Sequence, residues 1–194
     1  MSVANISTSK LKQRITLGFL ELIIMLSLFL FVPAGSLNFW QGWIYSIIIF
    51  VSSSTSTFYL WKKDPALLKR RLEIGVVEEK EKTQKIIQGF VFIGFTLILL
   101  IPALDHRFGW SNVPLSIVIL GDILVAVGFY LVFLVYKENT FASATIEITA
   151  GQKVITTGPY SMVRHPMYLG ALIMLFGTPL ALGSWLGLIT LIPY

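Results

Sequence analysis

Long apolar stretches alternate with polar ones along this chain, and four of the apolar stretches have the length of a membrane-spanning helix. A helix needs about 20 mainly apolar residues to cross the hydrocarbon core of a bilayer. The four stretches are residues 15–32, 40–61, 86–104 and 115–136. The first contains a single charged residue, Glu21, and the last contains Asp122. Ionisable residues inside a span are candidates for function, although both lie near a span end, from which a side chain can reach water.

The apolar stretch at the end of the chain, residues 168–194, has a different character. Glycine and proline interrupt it repeatedly, and Gly183-Ser184 is a turn signal. We therefore predict a short helix over residues 168–182, a tight turn, and a returning helix that begins near Trp185. The whole pattern predicts an all-α, polytopic integral membrane protein with four full spans and a C-terminal helical hairpin.

Composition supports the membrane assignment and excludes several kinds of site. Of the 194 residues, 55% are hydrophobic and 13% are charged, whereas soluble domains carry about 25% charged residues. The chain has no cysteine, which excludes disulfides, thiolate metal sites and thiol catalysis. Since the only histidines are His106 and His165, we also expect no metal site.

The basic residues lie on one side of the predicted spans. Fourteen of the fifteen Lys and Arg residues precede the first span or fall in residues 62–85 and 137–167, and only Arg107 lies in another loop. Because cytoplasmic loops are enriched in Lys and Arg, we predict that the N-terminus and both long polar segments are cytoplasmic. The net charge of +5 therefore indicates contact with membrane lipids and no nucleic-acid partner.

The polar segment at residues 62–85 contains a helix signal of its own. Asp caps a helix start and Pro is tolerated at the first helical position, so Asp64-Pro65 predicts one. Leu67, Leu68 and Leu72 then share one face, which indicates a short helix lying on the membrane surface with its basic residues near lipid phosphates. The alternative is a solvated, charged loop that separates two spans.

The polar segment at residues 137–170 is the candidate for chemistry. It has no helical period, Gly158-Pro159 is a turn, and Pro166 stops a helix from running through. Irregular backbone at membrane depth occurs only where it is buried in protein or lines a cavity. We therefore predict a polar pocket at the cytoplasmic interface. Taken singly, several of its residues are also ordinary interfacial residues: Tyr160, Arg164, His165 and Tyr168.

Two motifs in this segment resemble the cofactor motif of the isoprenylcysteine carboxyl methyltransferase family, which is similar to phospholipid methyltransferases. They are Gly158-Pro159-Tyr160 and Arg164-His165-Pro166-Met167-Tyr168, followed by Gly170. The run from Gln152 to Gly158 matches the family's H-x-L-V-x-x-G pattern, with Gln in place of His; both side chains donate a hydrogen bond. Asp64-Pro65 with the leucines after it resembles the surface helix of bacterial members, so the resemblance covers most of the chain.

The resemblance implies a single membrane-embedded methyltransferase domain over residues 1–194, with residues 137–170 binding S-adenosyl-L-methionine at the cytoplasmic side. The cofactor contacts that it implies are Gln152, Lys153, Val154, Ile155, Tyr160, His165, Pro166, Met167 and Tyr168. In the family, the returning helix leads to an Arg and a tail with paired Glu residues that complete the pocket. This chain stops at Tyr194, about ten residues into that helix, so we expect the C-terminal part of the family domain to be missing.

The implied reaction is methyl transfer to an acceptor held at the membrane. An in-line displacement at a sulfonium needs no enzyme nucleophile when the acceptor supplies a carboxylate, thiol or amine, and positioning and desolvation carry most of the rate. We therefore assign no catalytic residue, and we expect a lipophilic or lipidated acceptor. Two alternatives remain open. The first is a sterol or isoprenoid reductase, a class that carries an R-x-P-x-Y element and uses NADPH. The second is a non-enzymatic transporter or scaffold, which needs no such cofactor.

Overall fold

The computed structural model describes residues 8–72, 82–141 and 155–192, and the regular elements in these ranges are all helical. Seven α-helices follow one another within them: α1 (Thr8–Leu26), α2 (Val32–Ala34), α3 (Trp40–Lys63), α4 (Pro65–Leu72), α5 (Lys82–Phe108), α6 (Leu115–Glu138) and α7 (Pro166–Ala181). A π-helical turn (Ser27–Phe31) joins α1 to α2, and two 3₁₀ segments cover Gly158–Ser161 and Leu186–Leu191.

The four predicted spans are confirmed as helices of sufficient length and hydropathy to cross a membrane. Their apolar windows lie in Ser9–Ala34, Trp40–Lys63, Gly89–Phe108 and Leu115–Glu138. Each helix is longer than its apolar stretch, because polar residues at the ends extend it into the interface. Two lysines, for example, form the last turn of α3, where they are favoured by the helix dipole. The protein is therefore an all-α, polytopic integral membrane protein.

The C-terminal hairpin is also confirmed, with one difference in its returning arm. α7 ends at Ala181, and Gly183 takes the left-handed conformation, with φ of 73°, in the turn that follows. The chain then reverses at Trp185 and continues as a 3₁₀ helix, Leu186–Leu191, where the sequence predicted an ordinary returning helix. Gly187 is buried in this arm, and a Cβ on it would lie 2.6 Å from the side chain of Pro179 and 2.9 Å from that of Pro102. The returning arm therefore packs closely against both α7 and α5.

The closest helix pair in the bundle is α6 and α7, which pack antiparallel through small residues. A Cβ on Gly121 would lie 2.2 Å from the backbone nitrogen of Ala181, and one on Gly128 would lie 2.6 Å from the carbonyl oxygen of Gly170. Such approaches leave no room for a side chain, and small residues are the usual means of bringing membrane helices together. The register of this pair places the last turn of α6 beside the first turn of α7.

The turn of the C-terminal hairpin is fastened to the end of α5 by a buried carboxylate. Asp105 is 1% exposed and accepts hydrogen bonds from the backbone nitrogen of Ser111 at 2.7 Å and from its hydroxyl at 2.6 Å. The hydroxyl of Ser184 donates to the same carboxylate and accepts a bond from the backbone nitrogen of Gly187 at 2.9 Å. A buried carboxylate is tolerated where such donors surround it. This contact closes the bundle at the end opposite α4.

The surface helix α4 forms as predicted, but its leucines do not face lipid. Asp64 caps it, since its Oδ1 accepts a bond from the backbone nitrogen of Leu67 at 2.9 Å. Leu67 and Leu68 are 0% and 3% exposed and pack with Leu60 in a small core that Tyr136 also contacts. The apolar face of α4 is therefore buried against the protein, and α4 covers the ends of the spans at what we call the basic end of the bundle. The opposite end carries the turn at Gly183.

The membrane orientation stays a prediction that cysteine labelling tests, since the natural chain has no cysteine. Asn38 lies between the first two spans, Lys63 ends α3 at the basic end, and both are exposed. We expect a membrane-impermeant maleimide applied outside intact cells to label Asn38→Cys, and to label Lys63→Cys only after permeabilisation. Labelling of both positions from the same side would contradict the charge-based orientation.

Candidate functional site

The candidate site lies at the basic end, where α6 ends and α7 begins. The two helices contact each other along their length, with Gly128 opposite Gly170, and a Cβ on Gly170 would lie 2.9 Å from the side chain of Val132. Continued for one or two turns, this antiparallel register brings the residues after Tyr136 beside those around His165. The chain therefore enters α7 at the same end of the bundle at which it leaves α6.

The amide of Asn139, the residue that caps the end of α6, holds two parts of this connection together. Its backbone nitrogen donates to the carbonyl of Val135 at 2.9 Å, which completes the helix. Its side-chain Oδ1 accepts a bond from the backbone nitrogen of Phe141 at 2.9 Å, and its Nδ2 donates to the hydroxyl of Tyr160 at 2.8 Å. One side chain therefore shapes the chain that leaves α6 and fixes a residue of the motif that leads into α7.

A second contact from the end of α6 holds the turn at Gly158. The hydroxyl of Thr157 donates a hydrogen bond to the carboxylate of Glu138. Gly158 has φ of 56°, in the left-handed region, and a Cβ there would lie 3.1 Å from a carboxylate oxygen of Glu138. Both the backbone conformation and the close carboxylate favour glycine at this position. The following 3₁₀ turn is closed by the hydroxyl of Ser161, which donates to the carbonyl of Gly158 at 2.7 Å.

The first turn of α7 presents polar groups to the outside of the bundle. His165 precedes the helix with φ of −130° and ψ of 67°, and its carbonyl accepts from the backbone nitrogen of Leu169 at 3.2 Å. Pro166 is buried at the first helical position. The amides of Met167 and Tyr168 belong to the first turn, where backbone N–H groups have no intrahelical acceptor. The rings of His165 and Tyr168 lie 5.7 Å apart, and both side chains are exposed. A helix start of this kind is suited to an anionic group.

Six of the nine predicted cofactor contacts lie in the described part of the chain. They are Ile155, Tyr160, His165, Pro166, Met167 and Tyr168, all on the continuous stretch from the turn into α7. Tyr160, Ile155 and Met167 are half-buried, Pro166 is buried, and the two remaining rings are exposed. The other three predicted contacts, Gln152, Lys153 and Val154, lie outside the described residues. The role of all nine in binding a cofactor stays a prediction.

Sequence reasoning missed the residues that hold the site, Glu138 and Asn139. They follow an apolar span directly, in the run Lys137-Glu138-Asn139-Thr140. Asn is a residue that bonds to nearby backbone at the end of regular structure, so the run carried a signal for a local cap. It carried no signal for their partners, because Thr157 and Tyr160 lie about twenty residues farther along the chain and only the packing of α6 on α7 brings them close.

The ionisable residues inside the spans are not part of this site. Asp122 lies on α6 beside the Gly121 contact, 16 residues before Glu138, which is about 24 Å along a helix. One of its carboxylate oxygens is buried without a hydrogen-bond partner among the described residues. Glu21 is exposed on α1. Asp122 therefore lies too far along α6 to contact the described residues of the candidate site at the basic end.

A comparison with known protein families gives a match over the end of the chain, which includes the candidate site. Residues 116–194 match the model of the phospholipid methyltransferase family. The match starts in the first turn of α6 and includes Glu138, Asn139, the Gly158 turn and all of α7. Searches of curated proteins and of solved structures found no significant match. Residues 116–194, less than half of the chain, are therefore similar to the phospholipid methyltransferase family, which is consistent with a membrane methyltransferase related to the isoprenylcysteine carboxyl methyltransferases.

Proposed function

We propose that this protein is an integral membrane methyltransferase that uses S-adenosyl-L-methionine to methylate an amphiphilic acceptor. The observation that carries the proposal is the construction of the site within the matched family region. The end of α6, the Gly158 turn and the start of α7 are tied together by side chains, so that Tyr160, His165 and Tyr168 are held on one connected unit. A set of hydrogen-bond donors and aromatic rings fixed in this way is what binding a polar cofactor requires.

The residues present fit the chemical groups of S-adenosyl-L-methionine. The free amides of Met167 and Tyr168 suit its carboxylate, as does the imidazole of the adjacent His165. Arg164 is exposed next to them and supplies a further cation. The rings of Tyr160 and Tyr168 offer faces for stacking and hydroxyls for hydrogen bonding to the ribose. When bound, the cofactor supplies a methyl group on a sulfonium, and the role of the chain is to hold it and the acceptor in line and away from water.

An apolar groove on the bilayer side supports an acceptor with a lipid-like tail. It has a volume of about 740 Å³ and runs along α5 from Phe90 to Ile101, with Ile189 and Thr190 of the returning arm as its other wall, a length of about 16 Å. Its volume lies in the range of about 300–1,000 Å³ typical of ligand sites. Thr190 adds little polarity, because its hydroxyl donates to the carbonyl of Gly187 at 2.6 Å. The Phe90 end of the groove points toward the basic end of the bundle.

This arrangement favours an acceptor whose tail stays in hydrocarbon while its head reaches the cofactor. A carboxylate, thiol or amine head meets the polar site at the basic end, and the tail occupies the groove and the adjoining lipid. Each methylene that stays out of water is worth about 0.8 kcal/mol. The identity of the head group, including an isoprenylcysteine carboxylate or a phospholipid amine, belongs to the proposal and is decided by assay.

Binding and turnover in reconstituted protein test the proposed cofactor directly. The full chain in lipid nanodiscs is titrated with S-adenosylhomocysteine and, separately, with NADPH in a calorimeter. We expect saturable binding of S-adenosylhomocysteine and none of NADPH, followed by transfer of a labelled methyl group from S-adenosyl-L-methionine to at least one tailed acceptor among a carboxylate, a thiol and an amine. Binding of NADPH alone would support the reductase alternative, and binding of neither would contradict the enzyme assignment.

A further inference from the structure

The surface helix α4 is built into the protein next to the candidate site. Its two leucines, Leu67 and Leu68, are almost fully buried in a core that includes Tyr136 of α6. The guanidinium of Arg71 lies over the ring of Tyr136, 4.5 Å from its centroid. A cation held over an aromatic face is attracted to the negative face of the ring. α4 is therefore fixed to the last turn of α6, two residues before Glu138.

The neighbouring Arg70 reaches past the end of α6 to the chain that leaves it. Its terminal nitrogen donates a hydrogen bond to the carbonyl of Thr140, 70 residues away in sequence. Its Nε is buried and has no hydrogen-bond partner among the described residues. Among the described residues, the hydrogen-bond partner of Arg70 is the carbonyl of Thr140, the residue after Asn139. A planar guanidinium holds a carbonyl in a defined direction, whereas the flexible ammonium group of a lysine does not.

We propose that Arg70 is a positioning residue for the cofactor site, acting through Thr140, Asn139 and Tyr160. Arg70 donates to the carbonyl of the Thr140–Phe141 peptide, and the N–H of the same peptide donates to Oδ1 of Asn139 at 2.9 Å. The Nδ2 of Asn139 in turn donates to the hydroxyl of Tyr160 at 2.8 Å. Arg70 has no contact with Tyr160 itself among the described hydrogen bonds, so its influence passes through the end of α6. The proposal rests on the proposed function in one respect, namely that Tyr160 contacts the cofactor.

The consequence is a specific pattern of kinetic change when Arg70 is replaced. Arg70→Gln removes the charge-assisted bond and leaves the carbonyl of Thr140 free to turn, which loosens Tyr160. A hydrogen bond from a charged group is stronger than one between neutral groups, and a part of its loss reaches the cofactor through the intervening residues. We expect affinity for S-adenosylhomocysteine to fall about tenfold, with the KM for S-adenosyl-L-methionine rising accordingly and the KM for the acceptor unchanged.

Calorimetry on three variants in nanodiscs measures this effect against a matched control. Lys63→Gln removes the same charge from an exposed position at the same end of the bundle and is expected to bind as the natural protein does. Arg70→Lys keeps the charge and N–H donors without the planar guanidinium, and is expected to recover part of the lost affinity. Equal affinity in Arg70→Gln and Lys63→Gln would overturn the positioning role.

A double-mutant cycle tests the route through Tyr160. Tyr160→Phe removes the hydroxyl to which Asn139 donates, so the link from Arg70 is already broken. Substitutions in one hydrogen-bond network are not additive, and we expect Arg70→Gln to cost distinctly less affinity in the Tyr160→Phe protein than in the natural one. A loss that is the same in both backgrounds would show that Arg70 acts by another route and would overturn this proposal.

Amide hydrogen exchange separates failure of this proposal from failure of the proposed function. If the natural protein binds no S-adenosylhomocysteine, the proposed function fails, and the exchange rates then decide the role of Arg70. We expect peptides that contain Asn139–Phe141 and Tyr160 to exchange faster in Arg70→Gln than in Lys63→Gln, while the peptide around Asp105 is unchanged. Equal exchange in the two variants would overturn the role of Arg70 in fixing this segment, whatever the ligand.

Discussion

Replacing His165 by alanine is expected to weaken binding of S-adenosylhomocysteine about ten- to a hundredfold. The imidazole stands at the start of α7 beside two backbone amides that have no intrahelical acceptor, and its ring lies 5.7 Å from that of Tyr168. A hydrogen bond from the imidazole to the cofactor carboxylate is lost in His165→Ala, and bonds to charged groups are worth about 1.5–3 kcal/mol. Because His165 is exposed and makes no side-chain cap, its removal leaves the fold intact. The measurement is calorimetry on protein in nanodiscs.

The other histidine of the chain provides the matched control. His106 lies in the last turn of α5 at the opposite end of the bundle, where its ring stacks on Phe39 with 4.4 Å between centroids. His106→Ala is expected to lower the stability of the protein through loss of this packing while leaving the affinity for S-adenosylhomocysteine unchanged. His165→Gln, which retains a donor, is expected to bind more tightly than His165→Ala. Unchanged affinity in His165→Ala would remove His165 from the cofactor site.

The spans and their connections were predictable from the sequence because the bilayer imposes a simple rule. Backbone polar groups in hydrocarbon must be satisfied within the segment, so a long apolar stretch has little choice but to form a helix. The hairpin was predictable for a related reason, since Gly183 supplies the left-handed conformation that its turn uses. In both cases the information is local, within the few residues that form the element.

The surface helix shows where such local information ends. Asp64 and Pro65 predicted its start correctly, and its leucines predicted an apolar face. Whether that face meets lipid or protein depends on what lies beside it, and α4 packs its leucines onto the ends of the neighbouring spans. The returning arm likewise packs Gly187 closely against Pro102 and Pro179, and the local sequence gives no sign of these contacts.

The candidate site divides in the same way between what the sequence contains and what the fold adds. The motif residues from Gly158 to Tyr168 are contiguous, so their types and spacing indicated chemistry without knowledge of the fold. The residues that position them lie elsewhere in the chain, at the end of α6 and on α4. Glu138 accepts from Thr157, 19 residues away in sequence, and Asn139 donates to Tyr160, 21 residues away. Arg70 donates to Thr140, 70 residues away. These contacts exist only because α6 packs on α7 and α4 packs on α6.

Substitutions of contacting residues and of positioning residues are expected to affect the protein in different ways. Replacing a residue that contacts the cofactor is expected to change the affinity for the cofactor. A larger side chain at Gly128 would instead clash with α7 and shift the end of α6 relative to the start of α7. The order of the polar site therefore depends on the packing of α6 against α7. The same dependence does not apply to the groove, which lies between α5 and the returning arm, away from the α6–α7 contact.

The preference for a tailed acceptor is expected to be large and to depend on this groove. We expect an acceptor with a C15 tail to have kcat/KM at least about a hundredfold higher than one with the same head and a short acyl cap, since each methylene kept from water contributes about 0.8 kcal/mol. Leu97 lines the groove and is 38% exposed, so Leu97→Trp fills part of it. Both acceptors are assayed with labelled S-adenosyl-L-methionine on nanodisc protein.

The ratio of the two kcat/KM values isolates the contribution of the tail from that of the head. Leu97→Trp fills groove volume that the tail would occupy and so misplaces the head relative to the cofactor. We expect it to lower the ratio about tenfold while leaving the short acceptor unaffected. Phe92 lies on the same helix, outside the groove, and is 61% exposed. Phe92→Trp is therefore expected to leave the ratio unchanged.

Equal kcat/KM for the two acceptors in the natural protein would contradict the tail preference. Equal ratios in the two Trp variants would show that the tail lies outside the groove. Neither result would alter the similarity of residues 116–194 to the phospholipid methyltransferase family, because that similarity does not depend on the acceptor.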